Sequence, residues 1–377
     1  MVANEHVLPD RELRFFEYVE KTKENSNDKD VATVTNITTD NDVEVFDDAK
    51  PVKQAEVSSN DDTIDELPKS DRITAAKQRM KKSKSEWLTR PINFTQSEHI
   101  GKHIACTTMR IGVKHIHKST PCQDNCRVYS CDKGGPTIVA VADGHGDKSH
   151  DLSEFGSNIA CDQLCELVKE ILDEDNFKNI QYFVSEEFRS KLVRRWEKKV
   201  LGVHKREYNE DVSIEVNAKR ILTRYGTTLL FAFAYQDCYV VGQLGDGGIM
   251  ILREDDNESE IHKILSANKV GSGTASLCMG GADKYIEMRI YPAEGIKGIV
   301  LMTDGYYDIW GSDENRITAS RFFIDKWVKF IKAAGCDEGS EEAVEVAFTA
   351  KYNDAVDFAT DDISIGILMP NPIKEES

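Results

Sequence analysis

Aspartate recurs at the ends of apolar runs in this sequence, usually beside glycine. Asp143 follows the run TIVAVA and opens the pentapeptide Asp143-Gly144-His145-Gly146-Asp147. Asp246 sits between two apolar runs in Gly245-Asp246-Gly247-Gly248. Asp304 follows IVLMT, is followed by Gly305, and has Asp308 four residues on. Asp361 and Asp362 precede the last apolar run, and Asp124 precedes the one that begins near Asn125. Taken singly, an Asp-Gly pair after a strand is a turn, and GDGG between apolar runs is a hairpin signal. The set says more. Carboxylates from several strand ends, without cysteine ligands among them, are what a hard divalent cation requires. Glycine beside an aspartate lets a backbone carbonyl or a bound water approach such an ion closely.

Strands must bring those carboxylates together, and the hydrophobic pattern supplies them. Strand-like runs fall at Ala105–Ile111, Asn125–Tyr129, Thr137–Ala142, Thr227–Tyr235, Tyr239–Leu244, Ile249–Leu252, Ile261–Leu265, Tyr285–Ile290, Ile299–Met302 and Ile363–Leu368. Helical periodicity covers about 151–173, 179–201, 211–223, 315–334 and 340–353. In the first of these, Leu152, Phe155, Ile159, Leu164, Leu167, Val168 and Ile171 recur at helical spacing. Closely spaced strands interrupted by blocks of helices predict an α+β layered domain over residues 100–370, not an alternating βαβ one.

Composition bounds the rest. Forty-eight basic against 66 acidic residues leave a net charge of −18 in 377 residues. That balance argues against a nucleic-acid binder, which needs a basic face, and against an anionic membrane surface. No apolar run reaches the roughly 18 residues of a membrane span. The N-terminus carries Glu5, Asp10, Arg11 and Glu12 where a secretory signal would be apolar, so a cytoplasmic protein is expected. Nine cysteines without a CxxC pair are expected to be free thiols. Residues 1–70 hold 8 basic and 18 acidic residues and read as a disordered acidic tail, with one short helical pattern at Asp10–Lys21. Residues 71–99 read as a basic linker, with seven of its basic residues between Arg72 and Arg90, and 371–377 as a C-terminal tail.

Six motifs then stand in order: QDN at 123–125, VADGHGD at 141–147, YGTT at 225–228, GQLGDGG at 242–248, LMTDGYYD at 301–308 and TDDISIGIL at 360–368. Together they resemble the metal-dependent Ser/Thr protein phosphatases of type 2C, in a bacterial-type variant, over about residues 105–370. The resemblance implies a four-layer α-β-β-α sandwich, two antiparallel sheets flanked by helices. It implies two Mn²⁺ or Mg²⁺ ions at one end, with a third in some members. By motif, Asp143 corresponds to the carboxylate bridging both ions and Gly144 to a carbonyl ligand. Asp304 and Asp361 correspond to ligands of the other ion, and Asp246 and Asp308 to a weaker third site. His145 corresponds to the general acid. The implied reaction is hydrolysis of phosphoserine or phosphothreonine in a phosphorylated protein substrate by a metal-bridged hydroxide. The implied protein is monomeric, with neither nucleic acid nor membrane as partner.

Two departures stand out. Many members have Glu-Asp where this chain has Gln123-Asp124. Gln123 brings no charge, so either one ion is held more weakly or Asp124 carries that role. The arginine that clamps the substrate phosphate in many members would fall near Ser119, where His117 and Lys118 are the nearest cations. These departures motivate a reading from another class, a catalytically weak phosphatase-like protein that binds phosphoproteins as a scaffold. A hydrolase of small phosphate esters is the third.

Other candidates lead less far. His115 and His117 would share one face of a strand at a solvated edge, with no further ligand to complete a soft-metal site. Cys161 and Cys165, four apart on a helix, read as core packing, and Cys122, Cys126 and Cys131 fit no zinc spacing. Thr39, three residues before Asp42, is a candidate phosphorylation site.

Overall fold

In the computed structural model, the residues described are 93–96, 102–118, 120–130, 135–172, 179–255, 259–261, 269–270, 273–334 and 361–372. The acidic tail, the helical pattern at Asp10–Lys21, Thr39, Ser119, Cys131, the helix expected at 340–353 and most of the strand expected at Ile261–Leu265 lie outside them. The first strands are β1 (Asn93–Gln96), β2 (His103–Arg110), β3 (Asn125–Ser130) and β4 (Thr137–Ala142). They continue with β5 (Leu229–Tyr235), β6 (Cys238–Leu244), β7 (Gly248–Arg253), β8 (Glu260–Ile261), β9 (Lys269–Val270) and β10 (Gly273–Thr274). The last are β11 (Glu287–Pro292), β12 (Ile296–Met302) and β13 (Ile363–Pro370). One six-stranded sheet has the order β1-β2-β13-β12-β7-β8, and a five-stranded sheet has the order β11-β6-β5-β4-β3. Every pairing is antiparallel, and β9 and β10 form a separate two-stranded ribbon.

The sheets pack face to face because their inward positions are apolar at period two. Val139 and Val141 of β4, Leu230 and Ala232 of β5, Ile299 and Leu301 of β12, and Ile249 and Ile251 of β7 share one buried core. Ile138 and Ala140 alternate with the inward valines and are equally buried, so β4 is covered on both faces. Helices provide the outer cover: α1 (Val113–Lys118), α2 (Ser153–Leu172), α3 (Glu186–Tyr208), α4 (Glu215–Arg224), α5 (Asp304–Tyr307) and α6 (Asp313–Ala334). α2 lies on β3 and β4 with α3 packed against it, and α6 lies on β7 and β8. The indole Nε1 of buried Trp196 on α3 donates to the Gly156 carbonyl of α2 at 3.0 Å. Ser185 caps α3 by accepting from the Phe188 amide, and left-handed Asn209 (φ 50°) ends it. This is the four-layer α-β-β-α arrangement. No helix among the described residues is long and apolar enough to cross a membrane.

Three local differences from the sequence pattern have physical causes. β1 falls in the stretch read as linker, where it pairs with β2 along the sheet edge. The segment carrying His115 and His117 is helical, so residues two apart do not share a face. His115 accordingly turns inward and is buried, not part of a solvated edge. The strand expected from Tyr285 starts at Glu287, because Ala282–Tyr285 closes into a 3₁₀ turn.

Leu301 is fully buried between the sheets, one residue before Met302 ends β12. Leu301→Ala is expected to cost about 2–5 kcal/mol of stability. Denaturant unfolding measures this, and the midpoint should fall with little change in slope.

Candidate metal centre

Three carboxylates meet at one end of the sandwich. Ligand oxygens of Asp143, Asp246 and Asp304 all lie within 4.8 Å of one another. Each comes from a strand end held by identifiable bonds. Asp143 leaves β4 with its backbone gripped by the YGTT segment. Its amide donates to Thr228 Oγ1 at 2.9 Å, and its carbonyl accepts from Thr227 Oγ1 at 2.8 Å and the Thr228 amide at 2.8 Å. Gly144 bridges to Thr227 and donates its amide to the Gln123 carbonyl at 3.1 Å.

Asp246 stands at the apex of the β6–β7 turn, between Gly245 (φ 96°) and Gly247 (φ 85°). Both flanking residues have backbone conformations that favour glycine. The turn is braced from below by Gln243, which has no solvent exposure and donates Nε2 to the Gly245 carbonyl at 3.1 Å and the Gly247 carbonyl at 3.2 Å. Thr274 Oγ1 donates to Asp246 Oδ2 at 2.6 Å. Asp304 begins α5 immediately after β12, and Thr303 before it is buried.

Asp124 adds a fourth carboxylate from behind. It is completely buried and accepts from Thr303 Oγ1 at 2.7 Å through Oδ2. Its other oxygen, Oδ1, has no hydrogen-bond donor among the described residues. Burial, Asp362 and Asp304 push the Asp124 carboxyl well above the usual range, against the Thr303 hydrogen bond. Burial, then Asp124, Asp304 and Asp246, do the same to Asp143. Asp304 is pushed up to about 6, chiefly by burial and then by Asp246, Asp361 and Asp308. A set of mutually repelling carboxylates with an orphaned buried oxygen fits a hard cation, because the ion's charge reverses that pKa logic.

The remaining sequence candidates divide. Asp362 is almost fully buried and accepts from the backbone amides of Gly112 at 2.7 Å and Gln123 at 2.6 Å. His115 Nδ1 lies 2.6 Å from the same carboxylate. Burial disfavours charge on His115, but Asp362 and Asp361 outweigh it and raise its pKa. Asp361 is half-exposed, accepts from Lys114 Nζ at 3.1 Å, and lies 3.5 Å from His115 Nε2. Asp308 is exposed, 3.9 Å from an Arg316 guanidinium nitrogen. Lys118 is exposed on α1.

Gln123 is used as a brace. Its Nε2 donates to the His145 carbonyl at 3.2 Å and to Ser153 Oγ at 2.7 Å. The amide that breaks the Glu-Asp pattern therefore ties the Asp143–Asp147 loop to the start of α2, and the buried carboxylate of that motif is Asp124. His145 is mostly buried, and burial, with a contribution from His150, lowers its pKa to about 4.

Sequence reading passed over Gln243, Thr303, Thr274 and Thr227. Gln243, Thr303 and Thr227 stand inside quoted motifs and Thr274 outside them, but a bland polar residue gives no sign of its partner until the chain is folded. Asp362 was noticed only as one of a pair.

A family model described as Protein phosphatase 2C matches residues 111–347, and the chain belongs to that family. No curated protein matches the chain. Similar solved structures include a serine-threonine phosphatase 2C from Toxoplasma gondii, 14% identical, covering 74% of this chain and 99% of that one, with a TM-score of 0.43. Another is the S. agalactiae serine/threonine phosphatase, 13% identical, covering 74% and 100%, with a TM-score of 0.41. A third is the catalytic domain of the serine threonine protein phosphatase PstP in complex with two manganese ions, 14% identical, covering 74% and 97%, also at 0.41.

Two outcomes follow from the braces. Gln243→Leu should leave two turn carbonyls without their donor and reduce Mn²⁺ affinity about tenfold. Isothermal titration calorimetry measures this without reference to activity. Gln123→Glu would set a carboxylate against the His145 carbonyl and lose the amide donor, so stability should fall by about 1–3 kcal/mol. A lowered unfolding midpoint checks it.

Proposed function

We propose that this chain hydrolyses phosphoserine and phosphothreonine in proteins, with two divalent cations, Mn²⁺ or Mg²⁺, as cofactors. The observation that carries the reading is the convergence of Asp143, Asp246 and Asp304 in a member of the protein phosphatase 2C family. Asp143 would help to hold both ions, the Gly144 carbonyl one of them and Asp304 and Asp361 the other, with Asp124 supporting from the buried side. Asp246 and Asp308 would complete a third site. Bound there, such ions screen the phosphate dianion and lower the pKa of an attacking water.

The chain's own groups do the rest. The Asp143 backbone is clamped by Thr227 and Thr228, so its carboxylate needs little reorganisation as charge moves. Water attacks phosphorus opposite the leaving oxygen and gives up a proton to solvent as the new phosphorus–oxygen bond forms. The phosphorus–oxygen bond breaks with its electron pair left on the serine or threonine oxygen, and His145 gives that oxygen a proton. An arriving phosphate dianion adds negative charge beside the ring, which favours the protonated imidazole. No covalent phosphoenzyme is needed, so no serine or cysteine nucleophile is assigned. Buried Cys122, Cys126 and Cys161 have thiols pushed up by burial, which suits inert packing.

The test is turnover of a phosphothreonine peptide against free Mn²⁺. Activity is expected with Mn²⁺ and none with excess chelator. Asp143→Asn should lower kcat by at least about 100-fold while thermal unfolding remains cooperative. Absence of turnover with any divalent cation would overturn the reading in favour of a phosphoprotein-binding scaffold. Turnover of small aryl phosphates alone would favour a small-ester hydrolase.

A further inference from the structure

The His145 ring is placed in an unusual way. Its backbone is fixed on both sides, the amide donating to the Gly226 carbonyl at 3.1 Å and the carbonyl accepting from Gln123 Nε2 at 3.2 Å. The ring itself makes no hydrogen bond among the described residues. It packs instead against the ring of His150, with centroids 4.8 Å apart and planes inclined by 57°.

His150 is held far more firmly. It closes the 3₁₀ turn Lys148–His150, capped by Asp147, whose Oδ1 accepts from the Ser149 amide at 2.6 Å. Its Nδ1 is bonded to the Thr223 carbonyl, which places a proton on that nitrogen. Its Nε2 lies 3.4 Å from Asp147 Oδ2. The third side of the pair is closed by backbone at Gly226. A Cβ there would lie 2.6 Å from His150 Nδ1 and 2.8 Å from His145 Cδ2, so only glycine fits between α4 and the Thr227–Thr228 clamp.

We propose that His150 is a positioning residue for His145, setting the direction of that imidazole by ring packing while leaving its N–H free for the leaving oxygen. The proposal rests on the hydrolase reading above. A proton donor needs both properties. A ring tethered by its own hydrogen bond would have its donor already engaged, and an untethered ring would sample many directions. His150 supplies a fixed aromatic face whose own nitrogens are directed to Thr223 and Asp147. Its role is confined to steps in which His145 delivers a proton. A threonine alkoxide requires that proton as its phosphorus–oxygen bond breaks. A nitrophenolate leaves as a stabilised anion without it.

The experiment compares kcat for a phosphothreonine peptide and for p-nitrophenyl phosphate at saturating Mn²⁺, in the full chain. His150→Ala should lower kcat on the peptide about tenfold or more and change kcat on the aryl ester less than about twofold. His150→Phe, which keeps the ring face but not the bonds to Thr223 and Asp147, should recover part of the peptide activity lost in the alanine variant. Calorimetric Mn²⁺ affinity should be unchanged in both variants. Equal losses on the two substrates, a phenylalanine variant as impaired as the alanine one, or weakened Mn²⁺ binding would each overturn the positioning role. If the unsubstituted chain turns over neither substrate, the hydrolase reading itself falls, an outcome distinct from these.

Discussion

Four aspartates are held close together at one end of this sandwich, without an ion pair to a protein cation among the described residues, and most of the local structure exists to hold them there. Asp124, Asp143, Asp246 and Asp304 repel one another, and burial strengthens the repulsion. A chain free to relax would separate them. The antiparallel sheets prevent this, because each carboxylate sits at or beside the end of a strand whose register is set by a buried apolar face. Asp143 follows β4, Asp246 lies in the turn that joins β6 to β7, Asp304 follows β12 after Thr303, and Asp124 precedes β3.

Neutral polar groups, not salt bridges, secure these positions. Gln243 spans the Asp246 turn, Thr303 meets Asp124, Thr227 and Thr228 clamp Asp143, and Gln123 holds the carbonyl of His145. An arginine or lysine in any of these places would neutralise the cluster and compete with a bound cation. An amide or hydroxyl fixes the geometry while leaving the negative charge intact. Lys114 engages Asp361 at the half-exposed edge, and buried His115 lies between Asp361 and Asp362. Asp362, the neighbouring carboxylate, is directed away into the backbone of Gly112 and Gln123.

The helical layer connects to the same end. α2 starts just after the Asp143–Asp147 loop, and Gln123 reaches its first residue, Ser153. α4 ends in the Tyr225–Gly226 segment that leads to the Thr227–Thr228 clamp, with Arg224 paired to Asp151 through two hydrogen bonds. Buried His204 of α3 bonds the Tyr225 hydroxyl at 3.1 Å. The outer helices therefore support the strand-end geometry as well as covering the sheet, which links the packing of α3 and α4 to the placement of Asp143.

Much of this was legible in the sequence, because covalent order carries it. Period-two and helical patterns located the principal strands and helices, and aspartates at strand ends marked the carboxylates that meet. Carboxylates at several strand ends, without cysteine ligands among them, pointed to oxygen coordination. Pairing was a different matter. Asp246 was read together with Asp308, and it is the hairpin turn that brings its carboxylate within 4.8 Å of those of Asp143 and Asp304, more than 50 residues away on either side. Gln123 read as a missing charge, and only its contacts with His145 and Ser153 reveal a brace. His115 read as a solvated edge and is buried against Asp362, because the segment coils into a helix. Sequence records which groups are present and their local period. Which group meets which across 100 or more residues is decided by sheet register and burial, as when Thr303 reaches Asp124 across 179 positions.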